Sequence, residues 1–154
     1  MGWRVTIVVD SNLVVALALP LPYDALAVQA FSLWSRQGEW LIAPLLFEYE
    51  LTSLVRKGVA LRQLREERAL PVLHQLQQSG VETIAPTPEL HRLALRLAER
   101  VGQSKAYDAQ YLALASRENA PFWTADRRLA RAAQSAGLAW VHWIGELTTD
   151  HYPL

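Results

Sequence analysis

Val5, Thr6, Ile7, Val8 and Val9 are all β-branched, and Asp10 closes the run. Side chains branched at Cβ are stiff and pack well on a pleated surface. A strand with one wet face alternates apolar and polar residues. An unbroken run therefore predicts a strand covered on both faces, as in the middle of a parallel sheet. Parallel neighbours need crossover connections, usually helices, so the rest of the chain is expected to alternate between strand and helix.

It does. After the breaks at Pro20 and Pro22, Ala25 to Arg36 carries Leu26, Ala30, Leu33 and Trp34 at helical spacing and stops at Gly38. Trp40 to Ala43 is a short apolar strand, and Pro44 precedes a helix from Leu45 to Lys57 with Gly58 in the terminating position. Leu61 to Gln78 is helical in pattern, but Pro71 predicts two helices meeting there, an arm near residues 59–79. Val81 to Ala85 is the next strand. Thr87 and Pro88 make a cap and first turn for Glu89 to Val101, and Gly102 ends that helix. Ser104 is placed to cap a helix through Asn119, and Phe122 to Thr124, Arg127 to Ala136 and Ala139 to Trp143 read as strand, helix, strand. The order predicts an α/β domain over residues 1–154, its sheet mostly parallel with helices on both faces and ligands beyond the strands' carboxyl ends.

Composition narrows the chemistry. There is no cysteine, which excludes disulfides, thiolate metal sites and cysteine nucleophiles, and fits a reducing cytoplasm. His74, His91, His142 and His151 lack zinc-type spacing. The uncharged stretch Ser11 to Tyr23 has two prolines and falls well short of the ~20 apolar residues that cross a bilayer, so no membrane span is expected. Asp10 interrupts the only signal-peptide-like run. Fifteen basic and 15 acidic residues cancel, so polyanion affinity has to be local.

Four acids occupy awkward places. Asp10 and Asp126 each follow a strand, Asp108 lies in the first turns of the Ala106 to Ser116 helix, and Glu50 sits in the apolar Leu45 to Val55 helix. A helix dipole alone accounts for Asp108 or Asp126 taken singly, and Asp-Ser-Asn at residues 10 to 12 could be a turn cap. Glu48 competes with Glu50, and spacing does not choose between them. If the acids converge, two ionised carboxylates ~4 Å apart repel by about 4 kcal/mol at an effective dielectric near 20. Oxygen donors without cysteine or paired histidines suit Mg²⁺ or Mn²⁺, which can lower the pKa of an attacking water and neutralise charge on a phosphate.

The segments carrying these acids resemble the PIN-domain family, in particular ribonuclease toxins of the VapC type, over nearly the whole chain. Val8-Val9-Asp10-Ser11-Asn12 is similar to that family's first motif, and Ala43 to Lys57 to its second, with the acid at Glu50 rather than Glu48. Tyr107 to Ala115 is similar to the third, with Asp108, and Thr124 to Ala130 to the fourth, with Asp126. The resemblance implies a three-layer domain with a central twisted sheet of four or five strands. It also implies a divalent-metal-dependent endoribonuclease that leaves a 5′-phosphate, with Asp10, Glu50, Asp108 and Asp126 as catalytic and metal-binding residues and Ser11, Asn12 and Thr124 in support. An RNA substrate, a VapB-like antitoxin partner, a homodimer and a cytoplasmic location follow from the same likeness.

Setting the four acids aside leaves the remaining chain at formal +4. Arg127, Arg128 and Arg131 adjoin Asp126 and are the expected RNA contacts, since arginine forks match phosphate oxygens. Arg62, Arg65 and Arg68, and Arg92, Arg96 and Arg100, have the spacing to line helix faces, the ordinary solvated arrangement. Trp3, Trp34, Trp40, Trp123, Trp140 and Trp143 are expected mainly in the core or at interfaces. Two rival readings are a non-catalytic PIN-like module that binds protein or RNA, and a phosphoacceptor domain. The first leaves four acids without a task, and the second needs an acidic neighbour that Asp10 lacks.

Overall fold

The structure, a computed structural model, describes residues 4–147, so Trp3 and His151 lie outside the described residues. Five parallel strands form one sheet in the order β3-β2-β1-β4-β5. They are β1 (Thr6–Val9), β2 (Trp40–Pro44), β3 (Glu82–Ile84), β4 (Phe122–Thr124) and β5 (Val141–Trp143). The β-branched run is the central strand. Ile7, Val8 and Val9 are buried, with β2 on one side and β4 on the other.

Helices cover both faces, as the run requires. Consecutive residues of a strand point to opposite sides, and Phe122 and Trp123 make this visible. Phe122 stacks on Tyr111 of α6 (Tyr107–Arg117) at 5.5 Å between ring centroids. Trp123 meets Trp34 of α2 (Asp24–Gln37) at 6.1 Å on the other side. Between β1 and α2 the chain makes a short helix, α1 (Ser11–Val15), one turn and a half that is too short to carry a hydrophobic period. The remaining helices are α3 (Leu46–Ala60), α4 (Ala69–Gln77), α5 (Pro88–Val101) and α7 (Arg127–Ser135). One apolar cluster runs from Ile7 to Ile144.

Local chemistry sets most helix ends. Thr87 Oγ1 accepts from the Leu90 amide at 3.1 Å and Pro88 opens α5, while Gly38 and Gly102 close α2 and α5 in the left-handed conformation.

Four local expectations need correction. Gly58 does not end α3 but lies buried inside it, where an added Cβ would come within 2.8 Å of Leu19 Cδ1. Its smallness serves packing. Pro71 does not separate two helices, because it falls in the first turn of α4, where an amide has no intrahelical partner to lose. The break comes earlier, in a turn at residues 61–65 and a 3₁₀ turn, Glu66–Arg68. Arg62 adopts φ 58° in that turn, so Arg62, Arg65 and Arg68 share no helix face, and Arg65 pairs with Glu67 at 2.7 Å. Ser104 caps nothing; α6 starts at Tyr107 and ends at Arg117, with Asn119 already left-handed.

The tryptophans divide as their surroundings dictate. Trp34 and Trp123 are fully buried, whereas Trp40 is half-buried and donates its indole N–H to Glu82 at 2.7 Å. Truncating Trp34 to Ala is expected to cost about 3–5 kcal/mol in urea unfolding, while Val28→Ala, on the exposed side of the same helix, stays within about 0.5 kcal/mol.

Candidate active site

The strand order reverses at β1. The chain moves from β1 to β2 and β3 on one side, then crosses to β4 and β5 on the other, and the carboxyl ends of β1 and β4 flank this switch point. Asp10 follows β1 and Asp126 follows β4. Glu50 comes from the first turns of α3, after β2, and Asp108 from the first turn of α6, which packs across the central strands.

Thr124 holds two of these segments together. Its hydroxyl donates to Asp10 Oδ2 at 2.8 Å and accepts from the Asp126 amide at 3.0 Å and from Asn12 Nδ2 at 3.3 Å. One donor and two acceptor positions are thereby used in full. Asn12 Oδ1 accepts from the Ala125 amide at 3.1 Å, and Ser11 Oγ donates to Asp10 Oδ1 at 3.3 Å. Ser11, Asn12 and Thr124, expected as supporting residues, all bond within the cluster. Asp126 is exposed and caps α7, its Oδ1 accepting from the Leu129 amide at 3.0 Å.

Two further side chains hold acids and were not among those expected. Tyr111 OH donates to Glu50 Oε1, and Gln103 Nε2 donates to Asp108 Oδ2 at 3.0 Å. Tyr111 stands three residues after Asp108, one helical turn away, which places it on the same side of α6 but does not say what its oxygen bonds. Gln103 stands in the loop before α6 and carries no signal. Glu48 takes a different path, its Oε2 accepting from Gln77 Nε2 of α4 at 3.4 Å.

Burial and neighbouring acids raise three of these carboxyls. Burial, followed by the charges of Glu50 and Asp108, pushes Asp10 up to about 7, against the lowering bonds from Thr124 and Ser11. Burial raises Glu50 as well, opposed by its Tyr111 bond and reinforced by Asp108. Asp108 is raised by burial and by Asp126, opposed by Gln103. Burial and the charges of Asp10 and Glu50 keep the Tyr111 phenol protonated. Among the described residues no Lys or Arg forms an ion pair with any of the four.

Among the described residues no three Asp, Glu or His side chains stand close enough together to hold a metal ion by themselves. The donor set still fits a hard dication: Mg²⁺ binds through one or two carboxylates, with waters filling its other positions. Arg127, Arg128 and Arg131 are exposed on α7 beside Asp126, and the Arg127 guanidinium lies over the Trp143 ring at 4.7 Å. Of the other trio, Arg100 donates to the Ala136 carbonyl at 2.9 Å and so closes the end of α7.

A sequence model of the PIN domain matches residues 7–135, from β1 to the end of α7. The chain belongs to the PIN domain family. No curated protein sequence matches it. Among solved structures, this PIN domain is similar to PAE2754 from Pyrobaculum aerophilum, at 25% identity over 83% of this chain and 79% of that one, with a TM-score of 0.61. It is similar also to a chain of a toxin-antitoxin complex from Klebsiella pneumoniae (19% identity, 92% and 99% coverage, TM-score 0.62). A third is a chain of VapBC2 from Rickettsia felis bound to a DNA fragment from their promoter (13% identity, 89% and 97% coverage, TM-score 0.63). The five-stranded parallel sheet with helices on both faces is the PIN-like α/β fold.

The position of Asp10 has a measurable consequence. An unfolded Asp ionises near 3.9, whereas the folded one holds its proton up to about 7. The fold therefore gains nothing from Asp10 below pH ~4, where both states are protonated, and loses stability as pH rises to 7, on the order of 4 kcal/mol in all. In EDTA, wild type is expected to lose stability relative to Asp10→Asn between pH 4 and pH 8, read by urea unfolding at each pH.

Proposed function

We propose that this PIN domain is a divalent-metal-dependent endoribonuclease, the toxin of a VapBC-type toxin-antitoxin pair. One observation carries the reading: four separate elements bring carboxylates to the switch point, three of them, Asp10, Glu50 and Asp108, at least partly buried and raised by burial and by neighbouring acids, and among the described residues no Lys or Arg is paired to any of the four. Charge gathered this way destabilises a fold unless something bound repays it, and a module that only docked a partner would have no use for it. PIN domains are in general nucleases, and two of the similar structures are described as a toxin-antitoxin complex and as VapBC2 on promoter DNA, which supports the narrower reading.

Asp10, Glu50, Asp108 and Asp126 would hold Mg²⁺ or Mn²⁺ between them, one or two as direct ligands and the others through the ion's waters. When bound, such an ion makes an attacking water more acidic and offsets charge developing on the phosphate. The protein does the positioning. Thr124 and Ser11 fix Asp10, Tyr111 and Gln103 steady Glu50 and Asp108, and a carboxylate left free of the ion accepts a proton from the water. Arg127, Arg128 and Arg131 meet the RNA backbone beside Asp126. Attack on phosphorus with departure of the 3′ oxygen leaves a 5′-phosphate and a 3′-hydroxyl. A VapB-like antitoxin, a homodimer and a cytoplasmic location belong to the same proposal; among the described residues no helix is long and apolar enough to cross a membrane.

Purified protein is expected to cut RNA with Mg²⁺ or Mn²⁺ and to stop in EDTA. Asp108→Asn is expected to stay folded while losing about two orders of magnitude or more in rate. Cleavage in EDTA at the rate seen with the ion would reject the proposal. Thermal melting supplies a readout independent of turnover: Mn²⁺ raises the Tm of wild type by mass action and leaves that of Asp10→Asn unmoved.

A further inference from the structure

Glu50 is held differently from the other acids. Asp10 and Asp126 stand at strand ends where backbone and Thr124 fix them, whereas Glu50 projects from inside α3 on a long side chain with three rotatable bonds. Such a carboxylate, half-buried, has many rotamers to choose from, and ordering one of them costs entropy. Tyr111 supplies the order. Its ring is 1% exposed and stacked on Phe122 at 5.5 Å, with an interplanar angle of 28°, so the hydroxyl stands at the end of an immobile lever. That hydroxyl donates to Glu50 Oε1 across 61 residues of sequence.

We propose that Tyr111 is a positioning residue for the divalent ion: its rigid hydroxyl holds the Glu50 carboxylate in the one orientation that adds its charge to those of Asp10 and Asp108. A phenylalanine would fill the same space in the core, and packing on Phe122 does not require the oxygen. The oxygen is accounted for by the carboxylate it holds. The inference rests on the ion-binding part of the proposed function.

Isothermal titration of the full chain with Mn²⁺ tests it. Tyr111→Phe is expected to bind Mn²⁺ about 10- to 100-fold more weakly, the usual consequence of losing a group that orients a ligand. Its circular dichroism and its Tm in EDTA stay close to wild type, because half-exposed Glu50 can bond water instead. Phe122→Leu, which disturbs packing and leaves the hydroxyl, is the control for a merely structural role and is expected to change Mn²⁺ affinity less than 3-fold, about the smallest change that mutational coupling resolves. In the Glu50→Gln background, adding Tyr111→Phe is expected to weaken binding no further, since the residue acts through Glu50. This comparison also decides the matter if Tyr111→Phe alone fails to fold. Wild-type affinity in Tyr111→Phe, or losses that multiply in the double variant, would overturn the inference while leaving ion binding intact. A wild-type protein that takes up no Mn²⁺ would overturn the ion reading and this inference with it.

Discussion

A carboxylate at the end of the central strand is the constraint on which this molecule turns. Asp10 continues directly from Ile7, Val8 and Val9, and its exposure is 7%. Removing such a group from water is costly unless hydrogen bonds or charge compensate. The compensation is local and partial. Thr124 and Ser11 donate one bond each, and the proton affinity of the carboxyl still rises well above that of a free aspartate. Everything else at the site follows from making that position possible. The β1–β4 pairing, with Val9 opposite Trp123 and the Asp10 amide bonded to the Trp123 carbonyl at 3.0 Å, sets Thr124 beside Asp10. A register one residue away would turn Thr124 to the other face of the sheet and leave Asp10 without its donor.

This explains which parts of the chain were legible. The central strand announced itself because both of its faces are buried, and a doubly covered strand has no reason to alternate. The helix cap at Thr87 and the terminators at Gly38 and Gly102 were legible because they act on adjacent residues. Gly58 and Pro71 misled for one shared reason: each residue type has two uses, and tertiary context selects between them. Gly58 serves close approach of Leu19, and Pro71 serves a first helical turn.

The acids stood out in the sequence as charges inside apolar surroundings, but which glutamate of α3 faces the site was not decidable from spacing. The family resemblance favoured Glu50, and the geometry brings Glu50 to Tyr111 and Glu48 to Gln77 of α4. These two residues lie on different sides of one helix, 200° apart. Partners such as Tyr111 and Gln103 are harder to read. Their roles depend on distances set by the fold, and a tyrosine in an apolar helix looks the same whether its oxygen bonds water or a carboxylate.

Low identity to the structural relatives, 13% to 25%, coexists with coverage of most of each chain. A core of this type fixes the pattern and volume of buried residues more than their identity, so packing tolerates wide substitution. The site obeys a stricter rule. Four elements far apart in sequence deliver acids to one end of the sheet, and placing Asp10, Glu50 and Asp108 there works against the stability of the fold. Under the proposed function, a bound dication would offset part of that cost, which links affinity for the ion to the cost of folding without it. Pairing each acid with a lysine or arginine would neutralise the charge locally and leave the proposed ion less to compensate.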